Sequence, residues 1–175
     1  ARHMTRLITD LTDLAHIDSG HLAIEAKPHD PAALARDVVE AMQPAASERG
    51  TVLRLDVAGT IPPIDCDGDR IVQVLSNLTA NAIKVGSPTV TVRVEARPGD
   101  VLFTVSDTGP GISADEVPHM FDRYWRGPRS QYRGSGLGLP IARGIVVAHA
   151  GKIWITSEVG VGSRFYLTLP RASPV

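Results

Sequence analysis

The spacing of apolar positions changes along the chain, and the changes mark out its elements. Met4, Leu7, Leu11 and Leu14 recur by three and four, which predicts a helix with a heptad-like seam. Gly20 and the Lys27-Pro28 pair mark the weakening and end of that pattern. One helix cannot bury such a seam by itself. Either it packs on its own domain, or it is half of a helical hairpin or dimer; its place before a linker favours the second. A further helix begins at Asp30, with Pro31 in its first turn, Leu34, Val38, Val39 and Met42 on its apolar side, and Gly50 at its end. TVLRLDV, residues 51–57, alternates as a strand, and Pro62-Pro63 marks a loop. Residues 70–85 return to helical spacing, with Asp67 or Asp69 as the cap. TVTVRVEA (89–96) and VLFTVSDT (101–108) alternate on either side of Pro98-Gly99-Asp100, which predicts a β-hairpin. Residues 109–138 are rich in glycine and arginine around a short FDRYW segment, and residues 139–150 predict a last helix. KIWITSE and SRFYLTLP, joined by Val159-Gly160-Val161-Gly162, predict two closing strands. Helices followed by hairpin-connected strands predict an α+β fold: a two-layer sandwich with helices on one face of a mixed, mainly antiparallel sheet.

Composition narrows the function classes. The 175 residues suit one domain with a small appendage. Formal net charge is -1, which gives no global case for nucleic acid or an anionic membrane. Cys66 is the only cysteine, so a disulfide framework and a cysteine-built zinc site are excluded and a reducing compartment is expected. No apolar run approaches spanning length, and no signal peptide is visible. The expected location is cytoplasmic, with the longer parent either soluble or anchored in the inner membrane.

Three segments carry candidate chemistry. At about 100° per residue, Ile71, Val74, Leu75, Leu78, Ala82 and Val85 form one stripe of the third helix. Asn77, Asn81 and Lys84 form a narrow polar stripe beside it. Either this is a solvated edge, or it borders a cleft in which amide oxygens help hold Mg²⁺ and the lysine meets phosphate. In VLFTVSDTG, Val101, Phe103, Val105 and Asp107 share one side of the strand, so the carboxylate points where the apolar residues point. Gly109 and Gly111 then permit a tight turn and close approach of a ligand. Asp107 is either a turn cap or an acceptor for the exocyclic amine of adenine. In RGSGLGLPIA, Gly134, Gly136 and Gly138 precede a helix start, where backbone N–H groups bind phosphate well. Arg123, Arg126, Arg129 and Arg133 crowd the preceding loop, either as a mobile solvated loop or as a lid over a polyphosphate.

Taken in order, these segments resemble the catalytic ATP-binding domain of sensor histidine kinases. QVLSNLTANAIK resembles the family's N box, DTGPGI its G1 box, FDRYWRG its F box and GSGLGLPIA its G2 box. VGVGSRFYLTLP resembles the closing GxGTxF segment, and TRLITDLTDLAHIDSG the second helix of the dimerisation and histidine-phosphotransfer hairpin. The resemblance covers nearly the whole chain. It implies a Bergerat-type ATP-binding fold shared with gyrase, MutL and a heat-shock chaperone. Residues 1–27 would be part of the hairpin and linker, and residues 28–175 the catalytic domain.

The resemblance also implies roles. Asn81 would hold Mg²⁺ with Asn77 in support, and Lys84 would contact phosphate. Asp107 would accept from the adenine amine in a pocket shaped by Gly109, Gly111 and Ile112. Phe121 would pack the lid base, Tyr124 would take part in the ATP site, and Arg126 would approach the terminal phosphate. Gly134, Ser135, Gly136, Leu137, Gly138 and Leu139 would wrap the phosphates, and Ser163 would help close the adenine pocket. Where hydrolysing relatives carry a glutamate base, this chain has Asn77, which cannot take a proton as a carboxylate does. Val85 departs from the family's common aromatic residue, and Ala150-Gly151 from its frequent Gly-Gly. None of His3, His16, His21, His29, His119 or His149 is followed by anything like the acceptor motif HELRTP. The expectation is therefore a catalytic fragment that binds ATP and Mg²⁺ and phosphorylates a histidine on a separate helix. A response-regulator aspartate would be the next acceptor, and the full-length parent a homodimer, with no nucleic-acid partner. The alternatives are an ATP-responsive docking module without transfer, an anti-sigma-type serine kinase, and a hydrolysing ATPase, which Asn77 opposes.

Overall fold

A computed structural model describes residues 2–125 and 135–172. The elements run α1 (Arg2–Asp18), β1 (Lys27–His29), α2 (Pro31–Glu48), β2 (Val52–Ala58), β3 (Ile64–Cys66), α3 (Gly68–Lys84), β4 (Thr89–Arg97), β5 (Asp100–Asp107), a 3₁₀ turn (Val117–His119), α4 (Gly138–Ala148), β6 (Lys152–Glu158) and β7 (Gly162–Pro170). Among the described residues, five strands form one sheet in the order β2-β4-β5-β7-β6, with β2 parallel to β4 and the other pairs antiparallel. This is the expected α+β sandwich with a mixed, mainly antiparallel sheet.

Period-two alternation sets the core face of the sheet. Val90, Val92 and Val94 of β4, Val101, Phe103 and Val105 of β5, and Phe165, Leu167 and Leu169 of β7 are buried. They share a core with Val38 of α2, Ile71, Leu75 and Leu78 of α3, and Ile141 and Ile145 of α4. The other face carries polar and aromatic side chains, among them Trp154 stacked on Tyr166 at 5.1 Å between ring centroids.

Local chemistry fixes the element ends. Asp30 caps α2 by accepting from the Ala32 N–H at 2.9 Å, with Pro31 at the first helical position. Asp67, rather than Asp69, caps α3, accepting from the Arg70 N–H at 3.2 Å. The His149 ring joins that cap to the end of α4. Its Nε2 accepts from the Asp67 N–H at 3.0 Å while its Nδ1–H donates to the Ile145 carbonyl at 2.8 Å. A small β1-β3 sheet forms where the sequence predicts only a linker and a loop. It places Lys27 opposite Cys66. Burial, with Asp67 and Asp65 adding to it, pushes the Cys66 thiol up to about 11, which suits an inert core residue.

The seam expected on α1 is divided. Leu14 is buried against the domain and Leu7 half-buried, whereas Met4 and Leu11 are exposed, as is Ile8 outside the seam. A polar contact docks the helix: Asp13, only 4% exposed, accepts from Arg70 Nη1 at 2.7 Å and from Gln73 Nε2 at 2.8 Å. Gly144 of α4 makes room for Ile17, whose side chain lies 2.6 Å from where a Cβ would stand. Asp18 pairs with Arg123.

Candidate functional site

Core rows cross the sheet in register: Val94-Phe103-Leu167-Ile153, then Val92-Val105-Phe165-Ile155. The next row is Val90-Asp107-Ser163-Ser157. At one end of the sandwich, the apolar core therefore gives way to a carboxylate and two hydroxyls on the same face.

Asp107 is 8% exposed, and burial holds its carboxyl above the ordinary carboxylate range. The Gly109 and Ser163 backbone N–H groups donate to it and offset part of that rise. The Gly109 bond to Oδ1 is 2.8 Å. Two glycines let the chain close on itself here. A Cβ on Gly111, at φ +72°, would stand 2.0 Å from the Glu158 carbonyl oxygen. One on Gly162 would stand 2.0 Å from the Asp107 carbonyl oxygen. The turn after Asp107 is thus pressed against the β6–β7 hairpin. The Gly160 N–H donates to the Pro110 carbonyl at 2.8 Å, and the half-buried Ile112 donates its N–H to Ser157 Oγ at 2.8 Å.

The end of α3 is stitched to the same turn. Val85 caps α3, and its Cγ2 lies 3.1 Å from where a Gly109 Cβ would stand. The buried Ser87 accepts from the Thr108 N–H at 2.9 Å and donates to the Thr89 carbonyl at 2.7 Å. Thr51 Oγ1 donates to the Ser87 carbonyl at 2.8 Å. Sequence reasoning missed Ser87, Thr108 and Ser157. The last was within reach, since alternation in KIWITSE puts it on the side of Ile153 and Ile155.

The polar stripe of α3 is longer than expected. Arg70 and Gln73 extend it toward the N-terminus, where Asp13 of α1 occupies them. Asn77, Asn81 and Lys84 continue it, all half-buried, with Lys84 the last residue of the helix. Asn77 Nδ2 donates to the Gly138 carbonyl at 3.2 Å, so α3 is tied to the start of α4. Leu137 and Leu139 are 2% and 9% exposed, so their side chains belong to the core and only their backbone can serve a ligand. The Leu137 N–H already donates to Ser135 Oγ at 3.3 Å. Gly136, at φ +70°, accepts from the Tyr124 N–H at 3.1 Å, and a Cβ there would stand 2.9 Å from the Tyr124 Cα. Tyr124 is itself at φ 58° and 61% exposed. Phe121 packs edge-on against Phe165 at 6.4 Å. Arg126, Arg129, Arg133 and Gly134 lie outside the described residues.

The turn after Asp107 thus packs on the end of α3 through Val85 and Ser87, and the amide row of that helix is tied through Asn77 to the glycine turn leading into α4. A family profile described as histidine kinase-, DNA gyrase B-, and HSP90-like ATPase matches residues 66–173. The chain belongs to this family. Within it, the chain is an ATP-binding catalytic domain of the sensor histidine kinase type. It is 36% identical over 173 residues to the adaptive-response sensory kinase SasA of Synechococcus sp. (strain JA-3-3Ab), covering 97% of the chain and 46% of that protein. It is 35% identical over 175 residues to the circadian input-output histidine kinase CikA of Synechococcus elongatus, covering 96% of the chain and 23% of that protein. The chain therefore spans less than half the length of these relatives. Among solved structures, full-length ShkA in complex with AMPPNP superposes with a TM-score of 0.90 at 30% identity, covering 99% of the chain and 37% of ShkA. Acinetobacter baumannii AdeS gives 0.81 at 25% identity, covering 98% and 80%. Among the described residues, no helix is long and apolar enough to cross a membrane.

Proposed function

We propose that this domain binds Mg-ATP at the end of the sandwich marked by Asp107, Asn81 and Gly138. It then transfers the γ-phosphoryl group to a histidine on a separate hairpin helix. The observation that carries the reading is a chain of contacts joining three parts: the buried Asp107 carboxylate, whose turn packs on the end of α3 through Val85; the amide row of α3; and the glycine turn tied to that row through Asn77.

Asp107 accepts from the exocyclic amine of adenine, with Gly109 and Gly111 letting the base approach the backbone. The α3 stripe and the turn into α4 then flank the polyphosphate. Magnesium fits the donor set at Asn81, with Asn77 in support. Amide oxygens are hard and neutral, and no cluster of three His, Cys, Asp or Glu stands ready for a bare cation among the described residues. When bound, the ion offsets phosphate charge and orients the terminal phosphoryl group. Lys84 and backbone N–H groups near the start of α4 stabilise the charge that spreads over the transferred group. The bond from the γ-phosphorus to the β–γ bridging oxygen breaks, and ADP leaves. A bond forms to the unprotonated imidazole nitrogen of the acceptor, whose phosphohistidine then serves a response-regulator aspartate. With an amide at position 77, that side chain offers no base to activate water, which favours transfer over hydrolysis.

The test is label transfer. The chain is incubated with γ-labelled ATP, Mg²⁺ and a separately produced acceptor hairpin of a relative. Acid-labile, base-stable label on the hairpin is expected. Acid-stable label on serine, or release of phosphate alone, would contradict the reading.

A further inference from the structure

Ser157 lies outside the nucleotide-contacting set, yet three backbone segments meet at its hydroxyl. It accepts from the Ile112 N–H at 2.8 Å, donates to the Gly162 carbonyl at 3.0 Å, and lies 2.8 Å from Ser163 Oγ. A serine hydroxyl has one proton and two acceptor lone pairs. With its proton on Gly162, Ser157 accepts from both Ile112 and the Ser163 hydroxyl, and its capacity is full. Ser163 is also the residue whose backbone N–H donates to the Asp107 carboxylate. One side chain thus ties the turn after Asp107 to the strand that holds Asp107 from the other side.

We infer that Ser157 is a positioning residue for base recognition: its hydroxyl holds the 109–112 turn and Ser163 in register, and so aims the Asp107 carboxylate at the base. The inference rests on the proposed adenine site and names what tunes its selectivity. A carboxylate steered by two N–H donors keeps its lone-pair directions only while both donors keep their places. Gly109 sits on the turn, which Ser157 restrains through Ile112. Ser163 sits on β7, which Ser157 restrains directly. Removal of the hydroxyl leaves the Ile112 N–H and the Ser163 hydroxyl without this partner and frees both restraints together.

The expected consequence concerns the base rather than the phosphates. ATP and inosine triphosphate share the triphosphate but differ at the position of the exocyclic amine. Affinities of both are measured by calorimetry for the wild type, Ser157→Ala, Ser157→Thr and Ser163→Ala. Ser157→Ala is expected to lower the preference for ATP over inosine triphosphate about tenfold, the scale of one well-placed hydrogen bond. Ser157→Thr, which keeps the hydroxyl, is expected to restore most of it. Ser163→Ala removes one of the bonds to Ser157 and is expected to give a smaller loss of preference. Equal weakening of both nucleotides would make Ser157 merely structural and overturn the inference. So would an unchanged preference in Ser157→Ala. Should Ser157→Ala not fold, an unchanged preference in Ser163→Ala would overturn it instead. A wild type that binds neither nucleotide would strike at the ATP reading itself, a separate outcome.

Discussion

The side-chain amide of Asn77 donates to the Gly138 carbonyl at 3.2 Å, so the helix with the amide row and the helix after the glycine turn hold each other in place. Asn77→Ala removes the donor and any support to the metal. ATP affinity in Mg²⁺ is expected to fall about tenfold, with thermal stability lowered by only about 1 kcal/mol. Asn77→Asp is expected to be worse for ATP, since a carboxylate would face both the Gly138 carbonyl and the phosphates. Calorimetric titration with parallel melting curves checks both variants.

Asp107 gives a pH dependence whose sign follows from its burial. Its folded carboxyl holds its proton more tightly than the unfolded chain does. The stability it contributes is full below the unfolded value and is lost as pH rises through the raised folded value. Asp107→Asn should remove that loss, so the variant gains on the wild type as pH rises through this interval. ATP binding should run the other way. The ionised carboxylate is the stronger acceptor, so wild-type affinity should drop as pH falls through the raised value, and Asp107→Asn should lack that step. Melting curves and ATP titrations across a pH series check both signs.

Gly111 is where the turn can least tolerate a side chain. Its φ of +72° and the Glu158 carbonyl 2.0 Å from a notional Cβ combine backbone strain with a backbone collision. Gly111→Ala is expected to destabilise the domain by about 3 kcal/mol and to abolish ATP binding. Gly160→Ala, with a similar φ of +81° but open space around it, should lose only about 1 kcal/mol. Chemical denaturation of the two variants side by side separates strain from collision.

Much of this was legible in the sequence, for reasons tied to particular residues. Period-two alternation placed Asp107 on the core side of β5, and helical spacing isolated Asn77, Asn81 and Lys84, because both patterns are local. The small β1-β3 sheet was not legible. Three-residue strands show almost no alternation, and β1 contains Pro28, which reads as a breaker. The division of the α1 seam was hidden because a buried charge decides it. Asp13 reads as an exposed position until Arg70 and Gln73, far along the chain, arrive to pair with it. Leu137 and Leu139 flank Gly138 in a glycine-rich segment whose sequence predicts ligand contact, yet their side chains serve the core.

The Asp13 pair sets how α1 is held. Loss of one partner leaves a half-buried guanidinium without its carboxylate. Asp13→Ala is expected to weaken docking of α1 by about 2 kcal/mol. Hydrogen exchange should quicken across α1 while the amides of β4, β5 and β7 stay protected. A uniform loss of protection would instead make α1 part of one cooperative unit with the sheet.

Asp107 and Asn81 are proposed to serve one nucleotide, the first through its base and the second through its metal. Titration of ATP into the chain, with and without Mg²⁺, beside Asp107→Asn and Asn81→Ala, tests it most directly. Asp107→Asn is expected to weaken binding under both conditions, whereas Asn81→Ala is expected to weaken it only when Mg²⁺ is present. No binding by the wild type, or an Asn81→Ala loss that is the same without Mg²⁺, would contradict it.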